Sequence, residues 1–208
     1  VLLSTMFQRL CALFLLLCSA AAFANFREGV DYRVLAQPQP VADAKTVEVL
    51  EFFSYTCGHC YRLEPFLEQW EKTLPKDVSF RREQVVWQKN MEPMARLFAS
   101  LRSSNELARL HLPVFHAFMR DKKDLNQEAV LSQWLTDNKV DANRFMQLYR
   151  SFSINSDVAR ASKMTRDYQV EGTPMIVVGG RYAVNPAEPQ RVLQVTNELI
   201  NKVRAERK

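Results

Sequence analysis

Cys57-Gly58-His59-Cys60 is the stretch of this 208-residue chain whose residue types and spacing most directly suggest chemistry. Two thiols three positions apart can close into a disulfide and open again, and a C-x-x-C between a strand and a helix is a redox signal. The flanking pattern supplies that junction. Thr46 to Ser54 reads TVEVLEFFS, a nearly continuous β-prone run suited to a strand buried on both faces. After the cysteines, Leu63, Phe66, Leu67 and Trp70 form the apolar stripe of an amphipathic helix ending near Leu74-Pro75. At such a helix start, the free N–H groups and the helix dipole favour a thiolate over a thiol at Cys57. His59, when protonated, pushes the same way. A stabilised Cys57 thiolate is a good leaving group, so the disulfide is expected to be readily reduced and to oxidise other thiols. Cys60, one helical turn further in, is expected to be more buried and to act as the resolving cysteine.

Rival chemistries fit less well. A zinc site needs two more Cys or His ligands, and the other histidines, His111 and His116, fall in a helical stripe and read as ordinary surface or core residues. Haem attachment needs C-x-x-C-H, whereas Tyr61 follows Cys60. An inert structural disulfide fits the location poorly. No metal and no organic cofactor is expected.

The remaining cysteines lie in a different kind of segment. After Met6 and Arg9 comes an uncharged run, Leu10 to Leu17, closing in Ala22-Phe23-Ala24, an A-x-A cleavage signature. This is the layout of a secretory signal peptide and is short for a membrane span. Residues 1–24 are therefore read as upstream residues and a cleaved signal, with the mature protein starting at Asn25; an uncleaved anchor is the alternative. Cys11 and Cys18 leave with the signal, so an exported protein keeps one closely spaced pair. A four-residue loop constrains the unfolded chain little, which favours chemistry over stapling.

Composition sets the wider limits. With 47% hydrophobic and 25% charged residues, the chain can build a sizeable core without disulfide staples. Leaving Arg9 with the signal lowers the formal charge from +5 to +4, spread along the chain. The basic tail (Lys202, Arg204, Arg207, Lys208) complements a helix C-terminus, and no nucleic-acid partner is expected.

The elements that must position the cysteines can be read in order. Residues 25–45 are a polar lead-in with Pro38 and Pro40. The strand, the cysteine turn and the helix are followed by a second strand, Val78 to Trp87, making a βαβ unit. From about Asn90 to Val170 the pattern is helical: Met94, Leu97, Phe98 and Leu101; Leu107, Leu110, Val114, Phe115 and Phe118; Val130, Trp134 and Leu135; Phe145, Met146, Tyr149 and Phe152. Val158, Ala161, Met164 and Tyr168 mark a helix leading back. Strands follow at Met175–Val178 and Arg181–Val184 with Gly179-Gly180 between them, then a helix over roughly Glu188–Arg204. Gly172-Thr173-Pro174 stands just before the returning strand, where a proline is unwelcome in a ladder unless it is cis or at an edge.

These segments resemble the DsbA-like proteins of the thioredoxin superfamily over essentially the whole mature chain. VLEFFSYTCGHCY is similar to the family's active-site segment, and GTPMIVVGGRYAVNP to its cis-proline segment and hairpin. The resemblance implies an α/β thioredoxin fold with an inserted helical domain: residues 25–89 and 156–208 as the thioredoxin-like part, and 90–155 as the insertion. It implies a periplasmic oxidase that donates the Cys57–Cys60 disulfide to unfolded exported proteins with free cysteines and is reoxidised by a DsbB-like membrane quinone reductase, acting as a monomer. By the same resemblance Cys57 is the attacked cysteine and Cys60 the resolving one. Pro174 is the cis-proline facing the disulfide, and Thr173 offers backbone contacts to substrate. Glu51 matches a buried glutamate that assists proton transfer near the resolving cysteine. Gly58, beside the cysteines on the substrate side, departs from the proline common in the family, and CGHC is also the motif of protein disulfide isomerase. Thr173 replaces a bulkier apolar residue. Both positions tune redox potential, so an isomerase or reductant of the same fold is one alternative, and a redox-inert periplasmic binding protein is another.

Overall fold

The β-prone run forms β2 (Val47–Phe53), and all seven of its side chains are buried. A strand covered on both faces suits its branched and aromatic composition. The computed structural model describes residues 26–207; the expected signal, residues 1–24, lies outside them. The chain continues through α1 (Gly58–Glu71), β3 (Val78–Gln84), a 3₁₀ turn (Lys89–Met91), α2 (Glu92–Ser103), α3 (Leu107–Met119), α4 (Glu128–Asp137) and α5 (Ala142–Tyr149). It then returns by α6 (Phe152–Asp167) to β4 (Met175–Val178), β5 (Tyr182–Val184) and α7 (Pro189–Glu206).

The polar lead-in contributes a strand that the sequence did not announce. Tyr32–Val34 forms β1, which pairs antiparallel with β5, Tyr32 opposite Val184 and Val34 opposite Tyr182. Three residues carry too little periodicity to announce a strand; β5 supplies the partner that makes them one. The five strands form a mixed sheet in the order β1-β5-β4-β2-β3. β2 and β3 run parallel and the other pairings are antiparallel. This is the thioredoxin fold, with helices α2 to α5 inserted between β3 and the returning α6.

Alternation along β2 divides the core. Val47 and Val49 pack with Leu63, Leu67 and Trp70 of α1 and with the apolar stripe of α7. Leu50 and Phe52 face the other way, against Tyr168, Val170, Met175 and Val177. Phe53 and Tyr55, at the end of β2, join a third cluster built mainly from the inserted helices, and Cys60 belongs to it too. The cysteine turn therefore sits where sheet, α1 and helical insertion meet.

Two helical stripes differ from expectation. Phe152 does not continue the α5 stripe: Ser151 caps a new helix there, and Phe152 is 84% exposed. In α4 the buried face is Leu131, Trp134 and Leu135, and Val130 points outward. The second strand also stops at Gln84, short of Trp87, whose indole donates to the Val170 carbonyl. Between β4 and β5, Gly179 and Gly180 take φ of 61° and 66°, the left-handed conformation a tight hairpin needs. A side chain at Gly180 would meet the Gln39 carbonyl oxygen at 2.1 Å.

Candidate active site

Cys57 is the N-cap of α1. Its backbone is extended (φ −94°, ψ 115°) and its Sγ accepts from the Cys60 N–H at 3.3 Å. A capping side chain satisfies an N–H that the helix cannot, and an anionic cap also meets the positive end of the dipole. Sulfur takes the position usually held by a hydroxyl or carboxylate oxygen, and no acidic residue competes in the first turn. Half-buried Cys57 is consequently lowered from 9.0 to about 5: the Cys60 side chain's hydrogen bond contributes most, burial opposes it, and the N–H groups of Cys60 and His59 add to it. Cys60 is buried, and burial pushes its thiol strongly upward, helped by its hydrogen bond to Cys57 and by the charge Glu51 carries when it ionises. One sulfur is thus tuned to be an anion, and its neighbour to remain a thiol.

The turn before β4 meets the same sulfur. The Thr173–Pro174 peptide bond is cis, and the Thr173 carbonyl oxygen lies 3.2 Å from Cys57 Sγ, accepting from it when the sulfur is a thiol and joining residues 116 positions apart. Gly58 is the first residue of α1, and a side chain there would meet nothing within 4 Å. His59 is exposed, and Arg62 donates to its Nδ1 at 2.8 Å. Beside the cysteines runs a groove of about 620 Å³ lined by His59, Arg62, Leu63, Thr173, Pro174 and Met175, among others.

Glu51 is completely buried on β2, opposite Arg82 in the parallel register of β3. Arg82 Nε lies 3.5 Å from Glu51 Oε2, but neither Glu51 oxygen has a hydrogen-bond partner among the described residues. Burial pushes Glu51 well above the usual carboxylate range, and the nearby charge of Glu64 adds to the push. The structure thus places Cys57, Cys60, Gly58, His59, Thr173 and Pro174 around one sulfur pair, with Glu51 in the layer beneath.

Sequence reasoning passed over Tyr55, Glu64 and Arg82 in that layer and read His111 as an ordinary surface or core residue. Glu64 lies on the buried stripe of α1 and receives Arg82 Nη2 at 2.7 Å. Tyr55 and His111 are also buried and bonded to one another at 2.9 Å. The available signal was polarity on an apolar face: Glu64 between Leu63 and Leu67, His111 after Leu110, and Arg82 in phase with Val78 and Phe80. A buried charge without a partner would be costly, so each of these positions implies a partner elsewhere in the fold.

Comparison with known proteins agrees with this architecture. The family model of the DSBA-like thioredoxin domain matches residues 67–196, and that of thioredoxin matches residues 36–95. The thiol:disulfide interchange protein DsbA of Bordetella parapertussis is 34% identical over 203 residues, 95% of this chain and 97% of the relative. Among solved structures, the oxidoreductase NmDsbA1 from Neisseria meningitidis superposes with a TM-score of 0.81 at 35% identity, covering 87% of this chain and 95% of that one. DsbA of Pseudomonas aeruginosa gives a TM-score of 0.84 at 32% identity, covering 88% and 97%.

Proposed function

The chain belongs to the DSBA-like thioredoxin domain family, and from that premise we propose that it is a dithiol oxidase that donates its Cys57–Cys60 disulfide to newly exported proteins with free cysteines. It is a thiol:disulfide oxidoreductase. The observation that carries the oxidising direction is the placement of two sulfurs three residues apart: Cys57 caps α1 and accepts from the Cys60 N–H at 3.3 Å, which favours its thiolate, and Cys60 is completely buried, which disfavours its own. A thiolate stabilised only in the reduced protein makes the disulfide easier to reduce, and so a stronger oxidant.

In the reaction a substrate thiolate attacks Cys57 Sγ. A substrate–Cys57 bond forms, the Cys57–Cys60 bond breaks, and its electron pair leaves on Cys60, which takes up a proton. A second substrate thiolate then attacks the substrate sulfur of the mixed disulfide and expels Cys57 as thiolate. The substrate dithiol is oxidised to a disulfide and the enzyme disulfide is reduced to one thiolate and one thiol. The other substrate proton passes to water. Cys57 is the attacked sulfur in this reading and Cys60 the resolving one. Glu51 is the carboxyl that assists the proton at Cys60. Gly58, Thr173 and Pro174 meet the substrate backbone, with His59 at the rim. The groove beside them has room for an extended peptide.

Reoxidation falls to a DsbB-like membrane quinone reductase, and the oxidase acts as a periplasmic monomer exported by the segment at 1–24. Residues 25–89 and 156–208 form the thioredoxin-like part and 90–155 the insertion. Among the described residues no helix is long and apolar enough to cross a membrane. The test is to equilibrate the purified protein with glutathione and to follow oxidation of a reduced two-cysteine peptide. A potential well above that of thioredoxin, with peptide oxidation, supports the proposal; a thioredoxin-like potential sinks it and makes the protein a reductant.

A further inference from the structure

Helix α3 presents one buried polar side chain to the sheet. His111 is 4% exposed, and its ring meets those of Phe53, Phe98 and Phe115 edge-on. An imidazole in such surroundings needs polar partners, and it has one on each nitrogen. Nδ1 lies 2.9 Å from Tyr55 Oη, and Nε2 lies 3.3 Å from Glu64 Oε2, a long contact off the line of a good hydrogen bond. The two partners decide the tautomer. A nitrogen facing a carboxylate must carry the proton, so Nε2–H points at Glu64 and Tyr55 donates its hydroxyl proton to Nδ1. The charged and titratable groups facing the ring are Tyr55 from the turn after β2, Glu64 and Glu68 from α1, and Arg82 from β3; α2 contributes only Phe98.

Glu64 therefore meets two partners unequally: Arg82 donates to Oε1 at 2.7 Å, and the His111 ring faces Oε2 at 3.3 Å, within electrostatic reach but without a formed hydrogen bond. Burial opposes its charge, but those two partners hold it below the usual carboxylate range. Arg82 spends Nη2 on Glu64 and Nη1 on Glu71 at 3.0 Å, leaving only Nε near Glu51. Two buried carboxyls thus share one guanidinium unequally. We propose that His111 is a positioning residue for disulfide exchange: by holding Glu64 to Arg82 it leaves Glu51 as the carboxyl that gives its proton to Cys60. The proposal rests on the dithiol oxidase reading and deepens it. As the Cys57–Cys60 bond breaks, its electron pair goes to Cys60 Sγ. The Glu51 O–H bond breaks and the Cys60 S–H bond forms, the proton passing through a water between them because neither Glu51 oxygen is hydrogen-bonded to the sulfur. Glu51 becomes a carboxylate opposite Arg82 Nε and recovers its proton from water.

The experiment follows reduction of the full-length oxidised protein by a reduced two-cysteine peptide between pH 5 and 10, corrected for the peptide's thiolate fraction. In the wild type the corrected rate falls once Glu51 ionises. His111→Phe keeps the ring among its phenylalanine neighbours but releases Glu64, whose claim on Arg82 weakens, so Glu51 ionises earlier. The falling limb should move down by about one pH unit, and His111→Gln, which restores an N–H toward Glu64, should move it back. A folded His111→Phe protein whose profile superposes on the wild type would reduce His111 to core packing and overturn the proposal. Should that variant not fold, the ¹⁵N spectrum of the wild-type imidazole decides: a neutral Nε2–H ring supports the proposal, and a doubly protonated or Nδ1–H ring overturns it. A wild type that oxidises no peptide at any pH removes the oxidase reading itself, and this proposal with it.

Discussion

Acidifying the reduced protein from pH 8 to 3 should protonate Cys57 with a midpoint of about 5, against 9.0 for an unperturbed cysteine. The magnitude follows from linkage. A folded-state pKa lowered in this way contributes stability that is complete above the unfolded value and is lost as pH falls through the folded one. At pH 7 the protein stands about two pH units above the midpoint, which is about 2.7 kcal/mol at about 1.4 kcal/mol per unit. Cys57 is only half-buried, and solvent screening reduces this to about 1.3 kcal/mol. That favours the reduced form alone, because the oxidised sulfur cannot ionise, and amounts to about 30 mV of oxidising strength. The assay pairs thiolate absorbance near 240 nm with urea unfolding of reduced and oxidised protein at a series of pH values. The disulfide's own effect on the unfolded chain is a constant offset and drops out of the pH trend. Reduced-state stability, measured against oxidised, should decline by about 1.3 kcal/mol from pH 7 to 4. Cys60→Ala removes the largest contributor to the thiolate and should raise the midpoint by about one pH unit. A midpoint near 9, or a reduced–oxidised difference that ignores pH over this range, would refute the reasoning.

Glu51→Gln should slow peptide oxidation by at least about tenfold, as expected for loss of a general acid, in stopped-flow kinetics. It should also stabilise the fold: because burial raises the Glu51 pKa, the wild type loses stability as pH rises through that value and the amide does not, so the variant's advantage in urea should grow with pH. Arg82→Met strands the Glu64 charge in the core and should cost about 3–5 kcal/mol by urea denaturation. Gly58→Pro should fold at least as well as the wild type, since proline suits the first helical position and nothing stands within 4 Å, and calorimetry would show it. Gly180→Ala should lose more than about 1 kcal/mol in the same measurement, because its φ is positive and the new methyl group meets a backbone oxygen.

Much of the fold was legible because its signals are local. An unbroken run such as VEVLEFF has no solvent face, so a doubly covered strand follows without knowledge of what covers it. The paired thiols at the start of an amphipathic helix likewise announce their own electrostatics, since the helix end that tunes Cys57 lies within three residues of it. β4 and the glycine hairpin after it carry the same kind of short-range information. Phe152 shows where this fails: its spacing continues the α5 stripe, and only the capping bond of Ser151 turns it outward.

What tertiary structure alone decided is who meets whom across the chain. β1 became a strand because β5, some 150 residues later, offered it an edge. Thr173 reaches the Cys57 sulfur only through the returning strand. Glu51 needed the β3 register to stand opposite Arg82, and His111 needed the whole insertion to bring α3 against Glu64. A carboxylate or imidazole reads the same in sequence whether it faces water or a partner. Its protonation state is set by burial and by charges within a few ångströms, and those distances exist only once the chain has folded.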